Sequence, residues 1–455
     1  MAQHLDGDPH GSVSAEKTPR DTVTQVQRDA RVFESDSAAR LDPWSKTSLQ
    51  LYMILLVAAL NATASGFDGS IFGSINAMSQ YQEYFHQREL GSNTGIIFMM
   101  FTVGNMVGSL FTGPICDQFG RRIGIMCGSV LIVIGAAVQT AARSDAHLLG
   151  GRFVLGFGVS IGTSAAPTYA LELAPPQWRA RVVGYYNTFF YTGSILATGV
   201  AYASSRSPGE LAFRLPLSLQ IVPPLLIFTG AIWIPESPRW LTMWGKKDQA
   251  ARILAKYHGG GDPNHPLVQL ELGEFESNIE LQKASSVWNY WALVDTHNAR
   301  WRFAMMAFMS VFAQLSGNSV LTYYLPSMYK LLGIIFLFGC AYSFVYTPLT
   351  ATYCAEVLAN PTRAKGMGVH VILSNCANLY NSYVTAIALD ALDWRYYLIF
   401  VGLNMVYGVV WYLIGVETRG RTLEEMDAVF DAKFPPRAAL EKTSLPRRSG
   451  GKSGA

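Results

Sequence analysis

Ten stretches of about 20 mostly apolar residues run through this 455-residue chain, beginning near residues 49, 94, 122, 147, 182, 212, 303, 333, 367 and 396. Each is long enough to cross the hydrocarbon core of a bilayer as a helix that satisfies its own backbone hydrogen bonds. The chain is therefore read as an all-α integral membrane protein with ten spans. Composition agrees, since half of the residues are hydrophobic and only 15% are charged, against roughly 25% in a soluble domain.

The basic residues set the orientation. With the amino terminus in the cytoplasm, 28 of the 35 Lys and Arg fall in inside segments, six in outside loops (Arg88, Arg143, Arg206, Arg214, Lys330, Arg395) and one, Arg152, within a span. The positive-inside rule then places both termini in the cytoplasm. The net charge of +3 expresses this bias, and no basic stripe with interleaved aromatics points to nucleic acid. The five cysteines lie in or beside apolar spans and are odd in number, so neither a disulfide framework nor a metal site is expected. Residues 1–46 are polar and mixed in charge, which predicts a disordered tail without the apolar core of a cleaved signal peptide.

A pattern occurs twice. Tyr169, Glu172, Arg179, Arg181 and Gly184 recur, each 184 residues on, as Tyr353, Glu356, Arg363, Lys365 and Gly368. Each copy closes an apolar stretch, so the fold is expected to be duplicated, with a charged latch under each half. The predicted organisation is a tail (1–46), a six-helix bundle (47–235), a cytoplasmic linker with helical periodicity around residues 248–257 and 267–283 (236–300), a shortened four-span bundle (301–416) and a second tail (417–455).

The two halves differ in length. From Leu49 to Glu236 is 187 residues and from Trp301 to Glu417 only 116. The 71-residue shortfall matches two spans with their loops, and the repeats bracket the break near Leu332 to Phe336. The tight basic turn Gly113, Asp117, Gly120, Arg121, Arg122 of the first half has no counterpart in the second. Sequencing the transcript across Leu331 to Phe338 distinguishes a ten-span protein from an omitted exon.

Several signatures together closely resemble the sugar porter family of the major facilitator superfamily, and within it the fungal hexose and disaccharide permeases. They are Gly113 to Arg122; Gly151, Arg152, Gly156 and Gly158; Pro167 to Arg181; the Pro-Glu-Ser-Pro-Arg-Trp run at 235–240; Gln314 to Tyr324; and the segment 417–427 from Glu417 to Asp427. The resemblance implies the major facilitator fold, two helical bundles related by pseudo-symmetry, here with ten spans in place of twelve. It also implies a monomeric plasma-membrane transporter, not an enzyme, that needs no cofactor. Its expected partners are a mono- or disaccharide, a proton and the bilayer.

Asp68 is the only acid within the first apolar span and Arg152 the sole Arg within the fourth. An intramembrane carboxylate is expensive unless paired or functional, and both residues fall in the outer part of the membrane. Their attraction depends on separation, so a pair that opens and closes takes up and releases a proton. The resemblance assigns the matching residues that role; the alternative is an Asp68 that faces the extracellular funnel within a Phe-Asp-Gly helix irregularity.

By the same resemblance, Asn187, Gln314, Tyr323, Tyr324 and Asn378 line the sugar site, with Asn318 and Ser319 sharing the place of a displaced family Asn. A hydroxyl-rich ligand needs such groups to donate and accept hydrogen bonds beside an aromatic wall, although bundles use the same residue types between helices. Ala313 and Ala351 replace family polar and aromatic residues. The latch is expected from Asp117, Arg121, Arg122, Glu172, Arg179, Arg181, Glu236 and Arg239 in the first half. Glu356, Arg363, Glu417 and Arg419 are its second copy, which lacks the basic turn; the alternative is a basic turn that only sets topology. A non-transporting sugar sensor and an exporter of a small metabolite are the competing functions.

Overall fold

The computed structural model of the chain describes residues 44–87, 91–175, 178–284, 290–317, 337, 342, 350, 353–354, 356–359, 362–392, 395–418, 426 and 429–440. Its contacts divide it into two units: residues 50–237 with 286–455, and residues 1–49 with 238–285.

In the larger unit the elements among the described residues are helices. They are α1 (Lys46–Asn76, whose first residues belong to the smaller unit), α2 (Ser79–Phe85), α3 (Ser92–Phe119), α4 (Arg121–Thr140), α5 (Asp145–Leu173), α6 (Arg179–Ser204), α7 (Leu211–Leu219) and α8 (Val222–Trp233). After the linker come a 3₁₀ turn (Trp291–Leu293) and α12 (His297–Gln314), α13 (Arg363–Leu392), α14 (Tyr396–Ile414) and α15 (Pro435–Leu440). The smaller unit adds α9 (Pro238–Met243), α10 (Lys247–Tyr257) and α11 (Pro266–Ala284).

Six segments among the described residues are long and apolar enough to cross a membrane: α1, α3, α4, α5, the α7–α8 run and α14. α6, α12 and α13 follow the sequence-predicted spans at 182, 303 and 367. The span expected from 333 and the break at 332–336 lie mostly outside the described residues.

Helices in lipid gain little from hydrophobicity and associate through close packing. α3, α4 and α5 meet through glycines: a Cβ on Gly104 would lie 2.2 Å from the Phe153 carbonyl oxygen, and one on Gly156 only 2.1 Å from that of Phe101. This reciprocal contact seats α5 on α3 and fixes the height of Arg152. A Cβ on Gly113, further along α3, would meet nothing within 4 Å.

The α7–α8 run breaks at Gln220 and Ile221 because Pro223 and Pro224 have no amide hydrogen to give the preceding turn. The break turns a glutamine into the core. α12 starts from Thr296, whose hydroxyl accepts the Ala299 amide at 3.1 Å. The two sequence halves touch where α3 crosses α13: Asn375 Nδ2 donates to Asn105 Oδ1 at 3.3 Å, and Gly95 lies against Ala386 and Tyr383.

In the smaller unit, α10 and α11 close over Leu254, Val268, Leu272 and Phe275. Beside them His258 Nδ1 and Glu271 Oε2 are 2.6 Å apart, both fully buried, and Lys247 pairs with Glu276 at 2.8 Å.

Candidate functional site

Three helical segments bring polar groups together deep in the larger unit. Asp68 on α1 and Arg152 on α5 are each 2% exposed, and Gln220 at the α7–α8 break is 1% exposed. Gln220 Nε2 donates to Asp68 Oδ1 at 2.6 Å. The Arg152 guanidinium lies over the rings of Phe72, Phe101 and Phe98, at 4.1, 5.0 and 6.0 Å from their centroids. Phe72 follows Asp68 by one helical turn and shares its face of α1.

The two residues expected to pair also have other partners. Asp68 has a neutral hydrogen-bond donor, and Arg152 is held by aromatic quadrupoles worth about 2 kcal/mol or more when desolvated. Gln220 and the three phenylalanines were missed. A signal existed: Gln220 is the lone polar residue between two apolar runs, directly before the proline pair.

The sugar-site candidates are scattered. Asn187 lies on the exposed side of α6. Gln314 is half-buried at the end of α12, where its carbonyl accepts Asn381 Nδ2 at 3.0 Å, and Asn378 is half-buried on α13. Asn318, Ser319, Tyr323, Tyr324 and Ala351 lie outside the described residues. The sequence reading overlooked Asn105, Asn375 and the buried trio Asn381, Ser382 and Thr385 of α13, each a polar residue inside an otherwise apolar span.

Part of the charged set named for the first half comes together. Gly120, at φ 103°, ends α3 and lets α4 begin at the next residue, which turns Arg121 inward. Arg121 Nε stands 3.1 Å from Glu172 Oε2, a carboxylate only 6% exposed, and Arg121 Nη1 lies 3.2 Å from Asp117. Ser237 Oγ donates to the same Glu172 oxygen at 2.5 Å. Glu236 Oε1 accepts the Arg122 and Ser237 amides at 3.1 and 2.9 Å. A side chain at position 120 would occupy the space of that carboxylate. Burial raises the Glu236 carboxyl above its ordinary value of 4.5, and its backbone hydrogen bonds offset part of the effect.

Arg122 reaches the carbonyls of Ala231 and Ile232 at 2.8 and 2.6 Å and so closes the end of α8. Arg181 is exposed, and Arg121 from the other turn meets Glu172. The side chain of Arg179 lies outside the described residues, and Arg239 belongs to the smaller unit.

The second copy repeats the first, bond for bond in part. Tyr169 Oη donates to the Pro235 carbonyl at 2.8 Å, and Tyr353 Oη to the Val416 carbonyl at 3.1 Å. Ser237 serves Glu172 just as Thr418 Oγ1 serves Glu356, at 2.8 Å. The copies differ in burial, for Glu356 and Glu417 are exposed. The Arg363 side chain and Arg419 lie outside the described residues.

The profile of the family described as "Sugar (and other) transporter" matches this chain in two segments, residues 54–334 and 331–430. The chain belongs to the sugar transporter family. Among curated relatives of this sugar transporter, the MFS-type transporter criB of Aspergillus cristatus is 29% identical over 450 residues, covering 87% of the chain and 96% of criB. The high-affinity glucose transporter 1 of Candida albicans is 30% identical over 307 residues, which are 67% of the chain and 56% of that relative. A quinate permease of Neurospora terricola is 27% identical over 312 residues, 65% of the chain and 58% of the permease.

Among solved structures, the inward-open xylose transporter XylE from E. coli superposes with a TM-score of 0.69 at 20% identity, over 83% of this chain and 99% of XylE. The fold is therefore that of the major facilitator superfamily, an all-helical multi-pass membrane protein.

Proposed function

We propose that the chain is a plasma-membrane uptake carrier for a mono- or disaccharide, monomeric, driven by a proton and working by alternating access. The observation that carries the proton role is the buried Asp68 carboxyl, held by Gln220 at 2.6 Å, with Phe72 one helical turn along α1 lying against the Arg152 guanidinium. A carboxylate in that setting is costly when charged and unpaired, so a change in its distance to Arg152 moves a proton. Relatives named for glucose transport and a structural neighbour named for xylose support a sugar as cargo.

The duplicated Tyr–Glu–hydroxyl clusters act as latches at the cytoplasmic face. They hold the outward-open state and let go as the site turns inward. Both termini lie in the cytoplasm, which places the clusters and the linker there. A family match broken at 331–334 supports a carboxyl half shortened by one hairpin. The domain boundaries at 46, 235, 300 and 416 follow from that reading. The quinate permease relatives favour a second cargo class, a polyhydroxy acid.

The test is uptake of labelled glucose, xylose, lactose and quinate by yeast cells stripped of their own hexose carriers, with and without a protonophore. Protonophore-sensitive uptake of a sugar is expected. Asp68→Asn should abolish the dependence on the pH gradient while sugar exchange across the membrane continues. Uptake by Asp68→Asn that remains driven by the gradient refutes the proton role, and no uptake of any of the four refutes the transport reading.

A further inference from the structure

The smaller unit contains a cavity of about 220 Å³ lined by Thr47, Arg252, Ala255, Lys256, Gly260, Gly261 and Pro263. It holds the volume of about seven waters, room for a phosphate and the small group that carries it. Arg252 and Lys256 stand one helical turn apart on α10, so both cations rise from the same face around Ala255.

Three neighbouring acids have partners of their own. Glu271 faces His258, Glu276 pairs with Lys247, and Asp262 Oδ1 accepts the Asn264 amide at 2.8 Å. Among the described residues neither Arg252 nor Lys256 has a carboxylate partner; Lys256 lies 5.0 Å from the Tyr257 ring. The side chains that line the cavity thus carry a net positive charge.

The loop that lines the cavity carries no side chain at two positions. Gly260 and Gly261 hold φ of 61° and 101°, and a Cβ on either would meet nothing within 4 Å, so a ligand has free approach to the loop backbone. Thr47 contributes the remaining hydroxyl to the rim.

We propose that this cavity binds a phosphate monoester. The Arg252 fork and the Lys256 ammonium would take the phosphate oxygens, and the Gly260–Gly261 loop would seat the group it is esterified to. A monoester carries a charge of about −1.5 to −2 near neutral pH, which matches the two uncommitted cations. Two sources share this chemistry: a soluble phosphorylated sugar and the headgroup of a phosphoinositide.

The full-length protein in nanodiscs separates the sources. Glucose 6-phosphate is titrated calorimetrically against phosphatidylcholine discs, and phosphatidylinositol 4-phosphate is doped into discs and its retention read by native mass spectrometry. Saturable binding of either probe supports the site, with the responding arm naming the source. Each lost charge-assisted contact is worth about a tenfold change in affinity or more. The Arg252→Ala/Lys256→Ala double variant should therefore weaken binding by about 100-fold, and Arg252→Lys by less. Both side chains are exposed, so the variant is expected to stay folded, which its size-exclusion profile checks. Absence of binding by both probes, or equal binding to the double variant, overturns the proposal.

Discussion

Glu172→Gln and Glu356→Gln are the same substitution at two places that the repeat makes equivalent, yet their surroundings predict unequal costs. Glu172 is 6% exposed and faces Arg121, whose side chain is 11% exposed. Neutralising it leaves a nearly buried guanidinium with Asp117, a 63% exposed carboxylate, and the Cys116 carbonyl at 3.0 Å. Removing one partner of a buried ion pair costs about 3–5 kcal/mol. Glu356 is exposed and hydrogen-bonded to Thr418, and such surface polar contacts contribute about 0–1 kcal/mol. Purified in detergent and heated with intrinsic fluorescence as the readout, Glu172→Gln should lower Tm by roughly 5–10 °C and Glu356→Gln by no more than roughly 2 °C. Equal shifts at the two sites would refute the claim that the first cluster is a buried ion pair and the second a solvated remnant.

Tyr169→Phe and Tyr353→Phe each delete one hydroxyl bond to a carbonyl, so each should cost about 1 kcal/mol, and the same within error, in the same melting assay. Gly104→Ala places a Cβ 2.2 Å from the Phe153 carbonyl oxygen; the monodisperse peak of the purified protein should be lost or shrink severalfold. Glu236 holds its proton more tightly folded than unfolded. Its contribution is therefore fully present below about pH 4.5 and is lost as pH rises through the raised folded value. The Tm of Glu236→Gln, which keeps an acceptor for the Arg122 and Ser237 amides, should rise relative to the parent from acid to neutral pH. A constant difference across that range contradicts the assignment.

Much of this architecture was legible because lipid imposes long apolar runs and because a duplicated motif carries its own scale. The spans from residues 49, 94, 122, 147 and 182 emerged as helices at the expected places, and the linker periodicity became α10 and α11. Asp68 and Arg152 stood out because a charge inside a span has few reasons to exist. Their actual neighbours did not, since Gln220 reaches Asp68 across 152 residues of sequence and only through a proline-induced break. That Arg121 and Ser237 meet at one oxygen of Glu172 was equally hidden. It depends on Gly120 allowing α4 to restart within one residue.

The crossing of α3 and α13 joins Asn105 to Asn375, 270 residues apart in sequence. At about 5–20 residues per second of synthesis, the α3 face waits roughly 15–50 s for its partner to be made. The cluster built from Arg121, Glu172, Glu236 and Ser237 is complete once residue 237 has emerged. The first half therefore carries its own fastening through that interval, and the polar side of Asn105 meets lipid or the insertion machinery until the last third of the chain arrives. Variants that loosen the cluster would then be culled during biogenesis, before any cargo has been met.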